Sequence, residues 1–385
     1  MAVIRSLGRA GHVVIAADED RRSSGFRSRH ATASVVYEPP ARSIVTAGRA
    51  LADACVRYGV DLAVPVTDEA AVALASAGDA LPASTVVAVA NEAALSVAGD
   101  KRATIDLARC VGVPVPDTVV VEGTEDAMAA AADLGWPVVV KPARSRVASA
   151  GSVQSRTVDY AGSPAELATR MAAVAGEPVL LQRFHGGTGV GVNLLAHEGR
   201  VLAAFQHERV REVPITGGPS AMRRSVPLDD RLLAHARALL EAVAWTGLAM
   251  VEFKVHGEDA RLMEINGRIW GSLPVAVRAG VDFPLLLARL HLEGPPSPGE
   301  PPVIEYEVGV RSRNLWLETR WAWSVLRPAG PPAGLRRPRR REAAAVVADL
   351  FRPGTADDHF ELSDPMPGFS EVAAVARRLV RRAGR

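Results

Sequence analysis

Apolar positions along the chain switch repeatedly between helical and strand spacing. From Ala2 to Ala10 they recur as on one face of a helix, and Gly11 ends the run. His12–Ala17 then reads as a strand closing at Asp18, and Ala33–Tyr37 as a second. A helix over about 42–58, the buried strand Asp61–Val66, a helix from Asp68 and the strand Thr85–Val89 follow. Alternating helices and strands predict a small α/β domain. Parallel sheets of this kind usually begin with a strand, whereas this chain begins with a helix, so a first strand upstream of Met1 is expected.

From about 91 to 295 the pattern predicts helices over 101–110, 126–134 and 229–244. Between them lie predicted strands at 118–121, 137–141, 179–184, 191–197, 200–206, 248–255 and 261–265, in partly antiparallel pairing. After Glu293 comes Gly-Pro-Pro-Ser-Pro-Gly-Glu-Pro-Pro, a linker signal, and a Pro/Arg stretch fills 327–341. The expected division is an N-terminal α/β domain (1–95), a central domain (96–295) and a Pro/Arg-rich C-terminal extension (296–385). No internal repeat is visible.

The 385 residues are 48% hydrophobic and 23% charged with a net charge of +2, which excludes a disordered chain and a strongly basic nucleic-acid binder. Cys55 and Cys110 stand in no metal-ligand spacing, and no signal peptide or eighteen-residue apolar run occurs. A reduced, cytoplasmic setting is expected. Lysine occurs only at Lys101, Lys141 and Lys254 among 45 basic residues, which marks these three as places where a compact ammonium is needed.

Leu248–Val255 alternates as a strand, His256–Ala260 turns, and Arg261–Asn266 returns, predicting a β-hairpin. With the turn centred near Glu258, Glu252 faces Glu264 and the period of two adds Asn266 to the same face. Opposed carboxylates repel unless a cation neutralises them or a pKa rises. Two Glu and an amide oxygen form a hard donor set for Mg²⁺, with phosphates and water completing an octahedron. A solvated face screened by Lys254 or Arg261 is the competing reading.

Lys141 ends the apolar strand Trp136–Pro142, where an ammonium implies an anion, with phosphate the natural candidate. The loop after it, 143–152, is rich in small residues, Ser149 and Gly151 among them, that let backbone amides approach an oxyanion. Lys101 follows the candidate N-cap Asp100, at a helix start that would favour an acidic side chain. Gln182-Arg-Phe-His-Gly-Gly-Thr-Gly-Val-Gly-Val-Asn193 follows another apolar strand, and its glycines match no standard phosphate-binding pattern.

In order, Asp100-Lys101, Val139–Pro142, Gln182–Gly186, Val251–Phe253 and Met263–Arg268 resemble the ATP-grasp superfamily over about 91–290. Glu264–Pro274 with Ala279–Pro284 is similar to ATP-grasp ligases related to carbamoyl-phosphate synthase large subunits. The resemblance implies an α/β (α+β) fold: a small parallel-sheet domain, then a two-subdomain ATP-grasp whose antiparallel sheets clamp the nucleotide. It implies that Lys101 and Lys141 contact ATP phosphates and that Gln182, with the Arg183-Phe184 backbone, holds the adenine edge. Ser149, Gly151 and His185 complete the implied nucleotide set, and Gln182 stands where many members carry Glu. Glu252, Glu264 and Asn266 would bind Mg²⁺, with Mn²⁺ the alternative, and Arg268 would steady the transferred phosphoryl group, Lys141 assisting catalysis. Members typically convert a carboxylate to an acylphosphate that an amine attacks, which needs positioning and charge neutralisation rather than a covalent nucleophile.

The segment Arg209–Arg224 joins a Gly-Gly turn to arginines able to grip a carboxylate, and Arg223, Arg224 and Arg268 are the expected substrate contacts. The histidines lack zinc spacing, and the arginine runs at 336–341 and 377–382 lack interleaved aromatics, so neither zinc nor nucleic acid is expected. The aromatic stretch Asn314–Leu326 is expected to pack on the central domain rather than on a membrane. Expected partners are a small-molecule carboxylate and an amine, and a homodimer is common for this architecture. The expected activity is carboxylate–amine ligation. The alternatives are bicarbonate phosphorylation as in carbamoyl-phosphate synthase, disfavoured by the single ATP-grasp unit, and a non-catalytic ATP-binding regulatory module.

Overall fold

The computed structural model describes residues 1–142, 146–149, 152–155, 158–174, 178–326, 338–350 and 352–383, with backbone alone at 146–149, 152–155, 350 and 379–383. The N-terminal region begins with the helix Ala2–Arg9 and carries two separate parallel pairs, β1 (Ile15–Asp18) with β2 (Ala33–Val36) and β3 (Leu62–Ala63) with β4 (Val86–Val87). Ser43 and Thr67 cap the helices Ile44–Tyr58 and Asp68–Ser76 through their side-chain oxygens.

The described residues between 118 and 183 form a lid. Its four-stranded sheet runs β5 (Thr118–Val121), β10 (Val179–Arg183), β6 (Val138–Pro142), β9 (Asp159–Ala161), and a separate hairpin joins β7 (Arg146–Ser149) to β8 (Ser152–Ser155). Every second residue of the sheet, Val121, Val138, Val140, Val179 and Leu181 among them, is buried against the helices Thr124–Leu134 and Pro164–Ala173. The other face carries Val139, Lys141, Tyr160 and Gln182, which the register places side by side.

A seven-stranded sheet is the body of the molecule, in the order β15 (Asp259–Asn266), β14 (Gly247–His256), β11 (Thr188–His197), β12 (Arg200–Glu212), β13 (Ser220–Ser225), β16 (Arg311–Arg313), β17 (Thr355–Asp357). Val190, Val192, Leu194 and Ala196 of β11 alternate onto one face and pack with Val251, Phe253 and the helix Asp230–Ala242. Along the opposite face the chemistry changes. Leu195, Phe205, Leu248 and Met250 form an apolar end under Trp270, Phe283 and residues of the N-terminal region. Asn193, His207 and Glu252 form a polar end, which faces the lid.

The stretch after residue 295, expected as an extension, is threaded into this body. β16 and β17 extend the large sheet, and the helix Leu315–Leu326 buries Trp321 and Val325 against Val213 and Ala221, as the aromatic stretch predicts. Buried arginines hold it: Arg211 grips Glu318 and Asp349 at 2.7 Å each, and Arg5 of the first helix reaches Asp364 at 2.9 Å. The Pro/Arg stretch at 327–337 lies outside the described residues. Among the described residues no helix is long and apolar enough to cross a membrane.

Candidate active site

The hairpin β14–β15 places Glu252 directly opposite Glu264, and Asn266 shares their face. Asn266 Nδ2 donates to Glu252 Oε1 at 2.9 Å and to Glu264 Oε1 at 3.2 Å, so the three expected metal ligands form one cluster. Among the described residues no group of three His, Cys, Asp or Glu is arranged to hold a metal. Mg²⁺ does not require one: two carboxylates and an amide oxygen suffice when phosphates and water fill the remaining positions, and this donor set fits that ion.

Both lysines come to this cluster from different elements. Lys101 opens the helix Lys101–Cys110 behind the Asp100 cap, whose carboxylate accepts from the Arg102 and Ala103 amides at 2.9 and 3.1 Å. Lys141 is buried in β6, on the lid face toward the carboxylates. Burial draws the Lys141 pKa down to about 8 against the opposing pull of Glu264. Lys101 is lowered by burial as well, with Glu264 and Asp100 resisting. Burial pushes Glu252 up to about 7, Arg209 counteracting and Glu264 reinforcing. Such buried, mutually perturbed charges of both signs are characteristic of sites that take a charged ligand.

Arg209 is the residue whose place here is not foreseen. Its guanidinium pairs with Glu252 and, at 3.3 Å, with Glu212, which in turn takes Lys254 at 2.7 Å. Burial opposes its charge, but Glu252, Glu212 and Glu264 together raise its pKa. To reach Glu252 from β12 it must cross β11, and there the sequence has Gly189, where a Cβ would stand 3.0 Å from Arg209 Cδ. Gly191 does the same for His207, whose ring atom Cε1 lies 2.5 Å from the position a Cβ would take. Part of the glycine run therefore makes room for side chains rather than cradling phosphate. His207 is held neutral by burial, then by Arg209 and Arg223, and its Nδ1 meets Asn193 Nδ2 at 2.9 Å.

Near the end of β10, Gln182 is buried and donates to Thr118 at 2.8 Å. The Arg183 amide donates to the Asp117 carbonyl at 2.8 Å and its side chain pairs with the Asp117 carboxylate, also at 2.8 Å, so both its amide and its guanidinium are engaged by Asp117. Phe184 packs edge-on to Tyr160, ring centres 6.2 Å apart, and His185 lies 3.9 Å from Asp259. Ser149 ends β7 in the lid hairpin, paired with Ser152, while Gly151 lies outside the described residues.

The expected substrate arginines are disposed differently. Arg223 is fully buried and bound to Asp358 and to Ser312 at 3.1 Å, so its guanidinium serves the C-terminal segment instead of an incoming carboxylate. Arg224 points to the opposite face of β13 and pairs with Glu208 at 2.6 Å, because successive strand residues alternate sides. Arg268 remains half-buried and lies 3.1 Å from both oxygens of Asp68 in the N-terminal region.

A smaller four-stranded sheet thus accompanies a larger seven-stranded one, with two lysines and paired acidic residues between their elements. The chain shares its fold with solved biotin carboxylases. That from Campylobacter jejuni, described as a complex with β,γ-ATP, superposes with a TM-score of 0.62 at 18% identity, over 80% of this chain and 71% of that one. The biotin carboxylase domain of 2-oxoglutarate carboxylase from Hydrogenobacter thermophilus, a dimer described with MgADP and bicarbonate, gives 0.60 at 16%, over 77% and 67%. More particularly, residues 175–314 match the family described as "ATP-grasp in the biosynthetic pathway with Ter operon". Curated relatives include carbamoyl phosphate synthase large chains from Thermomicrobium roseum, 26% identical over 51% of this chain and 19% of theirs, and Thermus thermophilus, 27% over 51% and 20%. The chain thus matches about a fifth of the length of these relatives.

Proposed function

We propose that this chain is an ATP-dependent, ADP-forming ligase that activates a carboxylate as an acylphosphate and joins it to an amine, an amino acid or small peptide supplying one or both partners. The reading is carried by the convergence of Lys101 and Lys141 on Glu252, Glu264 and Asn266 across the cleft between lid and large sheet. Lys141 and Lys101, both attracted by Glu264, neutralise the phosphate chain, and exclusion of water strengthens both interactions. Gln182 and the backbone after it hold the adenine edge. Glu252, Glu264 and Asn266 would hold Mg²⁺, which when bound supplies charge neutralisation at the β- and γ-phosphates.

A substrate carboxylate oxygen then attacks the γ-phosphorus in line and ADP leaves. The amine attacks the acyl carbon, phosphate departs, and the amine's proton is lost to solvent. Arg268, at the entrance beside Asp68, steadies the transferred group. Arg209, lying against Glu252, is placed to exchange that carboxylate for the transferring phosphoryl oxygens when a cation takes the carboxylate over. None of these roles needs a nucleophile from the protein.

The test is ADP release from Mg·ATP over pairs of amino acids and short peptides, with Glu264→Ala as the blank. Release that requires one pair and vanishes in the variant supports the ligase. Bicarbonate belongs in the panel, because the carbamoyl phosphate synthase relatives match half of this chain. Turnover with bicarbonate alone would replace the carboxylate–amine reading. Failure of Mg·ATP to bind would overturn both.

A further inference from the structure

We propose that His207 binds the carboxylate substrate of the reaction proposed above, its ring Nε2–H donating to a carboxylate oxygen, with Asn193 the positioning residue that keeps the proton on that nitrogen. The inference rests on that reading of the site and adds the place where the acid to be phosphorylated is held.

Strand register brings the imidazole to the acidic pair. Glu264 lies opposite Glu252, Glu252 opposite Gly191, and Gly191 opposite His207, so one row crosses the adjoining strands β15, β14, β11 and β12 on a single face of the large sheet. Gly191 puts no side chain into that row. The imidazole takes the space instead: its Cε1 stands 2.5 Å from where a Cβ would be, with Nδ1 and Nε2 on either side at 3.1 and 3.2 Å. His207 is thus the next side chain along the row from the carboxylates expected to hold Mg²⁺.

The tautomer follows from Asn193, two residues along β11. Its Nδ2 lies 2.9 Å from His207 Nδ1, 3.3 Å from Phe205 O and 3.4 Å from Gly191 O. Turning the amide over would set its oxygen against both carbonyl oxygens, so Nδ2 is the donor there and His207 Nδ1 accepts from it. The ring proton is left on Nε2. That N–H is fully buried and has no acceptor among the described residues, a costly placement unless a ligand supplies one.

Neighbouring groups define the ligand's class. Arg209, two residues on and on the same face, also has a buried Nε with no acceptor among the described residues, while its terminal nitrogens serve Glu252 and Glu212. Two donors, one of them cationic, suit the oxygens of an anion and repel an ammonium. Lys101 and Lys141, the expected phosphate ligands, are drawn to Glu264 at the other end of the row, which leaves the carboxylate as the anion for His207. Arg209 leaves Glu252 when a cation takes that carboxylate, and the movement opens Nε2 to the substrate.

The experiment compares His207→Gln, whose amide N–H stands near the place of Nε2, with His207→Asn, whose shorter amide reaches only the place of Nδ1. ADP release by the full chain is followed at saturating Mg·ATP against the carboxylate that stimulates it, and Mg·ATP affinity is measured separately by calorimetry. His207→Asn should raise the carboxylate KM roughly ten- to a hundredfold, the worth of one hydrogen bond to a charged group, with Mg·ATP affinity within about twofold of wild type. His207→Gln should recover most of the KM. Weaker Mg·ATP binding with an unchanged KM would give Nε2 to the phosphates, and equal effects of the two variants would make the ring structural; either overturns the proposal. Nitrogen-15 NMR of the histidine rings, with Mg²⁺ present, supplies the second arm. The His207 signals should be those of the Nε2-protonated tautomer and should shift on titration with acetate but not with methylammonium. A proton on Nδ1, or a ring unmoved by acetate, overturns the assignment. If no carboxylate stimulates ADP release, the functional reading falls, and the NMR arm alone decides whether His207 binds a carboxylate.

Discussion

The guanidinium of Arg209 lies against the carboxylate of Glu252 although β11 separates their strands. Nothing in the local sequence around either residue announces this. It depends on a third strand having no side chains where the arginine crosses, which is what Gly189 and Gly191 provide in otherwise regular extended backbone. The glycines are a condition for the site's charge arrangement, and they can be tested as such.

Gly191→Ala puts a methyl carbon 2.5 Å from the His207 ring, which is buried and cannot rotate away freely. Overpacking of this kind costs about 1–3 kcal/mol. Urea unfolding should show that loss. Gly189→Ala meets the longer, more adaptable Arg209 and Glu212 side chains, so it should destabilise less while weakening Mg·ATP binding more. Equal effects of the two on stability would show that the room they provide is not what distinguishes them.

The hairpin was legible for a physical reason. A period of two and a short turn determine which residues oppose each other, so Glu252, Glu264 and Asn266 could be placed from spacing alone, as could the helix beginning at Lys101 behind Asp100. Arg209 was not legible, because its role arises from strand order in a seven-stranded sheet. The same holds for the last ninety residues. Pro and Arg content reads as linker, yet Asp358 and Asp364 are buried partners of Arg223 and Arg5, contacts across 135 and 359 positions that no local pattern encodes. Arg223 looked like a substrate ligand for the same reason: its true partner lies far along the chain.

Removing Glu264 should weaken cation-dependent nucleotide binding. Glu264→Ala leaves Glu252 and Asn266, and calorimetric titration with Mg·ATP should show affinity reduced at least about tenfold, as loss of a ligand or its support commonly does. Binding of ATP in the presence of EDTA, carried by Lys101 and Lys141, should change much less. Lys141→Met should show the reverse preference, losing ATP binding with and without the cation. Identical behaviour of the two variants would refute the division of labour.

The pH dependence follows from Glu252 and Lys141. Glu252 has its pKa raised from 4.5 to about 7, so between those values the folded state holds more protons than the unfolded one. Its contribution to stability is therefore full below about 4.5 and is lost as pH rises through about 7. Lys141 is depressed from 10.5 to about 8, so its contribution is present above 10.5 and is lost as pH falls through about 8. Thermal unfolding of nucleotide-free protein across pH 4 to 8 should show wild type losing ground to Glu252→Gln as pH rises. Mg·ATP affinity should move the opposite way, strengthening by up to about tenfold per pH unit until about 7, because the cation requires the charged carboxylate. A flat affinity profile would separate Glu252 from the cation.

The C-terminal segment should prove inseparable from the site. Asp358 binds Arg223 in a fully buried position, and Arg223 stands on the cleft face beside His207 and Arg209. Asp358→Asn leaves that guanidinium buried with its counter-charge gone, a change that typically costs about 3–5 kcal/mol. Replacing both partners removes the unpaired charge as well as the pair, and apolar replacements of similar volume are often neutral. The double variant Arg223→Met/Asp358→Leu should therefore recover most of the stability lost in Asp358→Asn, measured by urea unfolding. Nucleotide binding should recover with it, since neither side chain is assigned a contact with ATP. A double variant as unstable as the single would mean that the pair itself, rather than the burial of a lone charge, holds the C-terminal segment to the sheet.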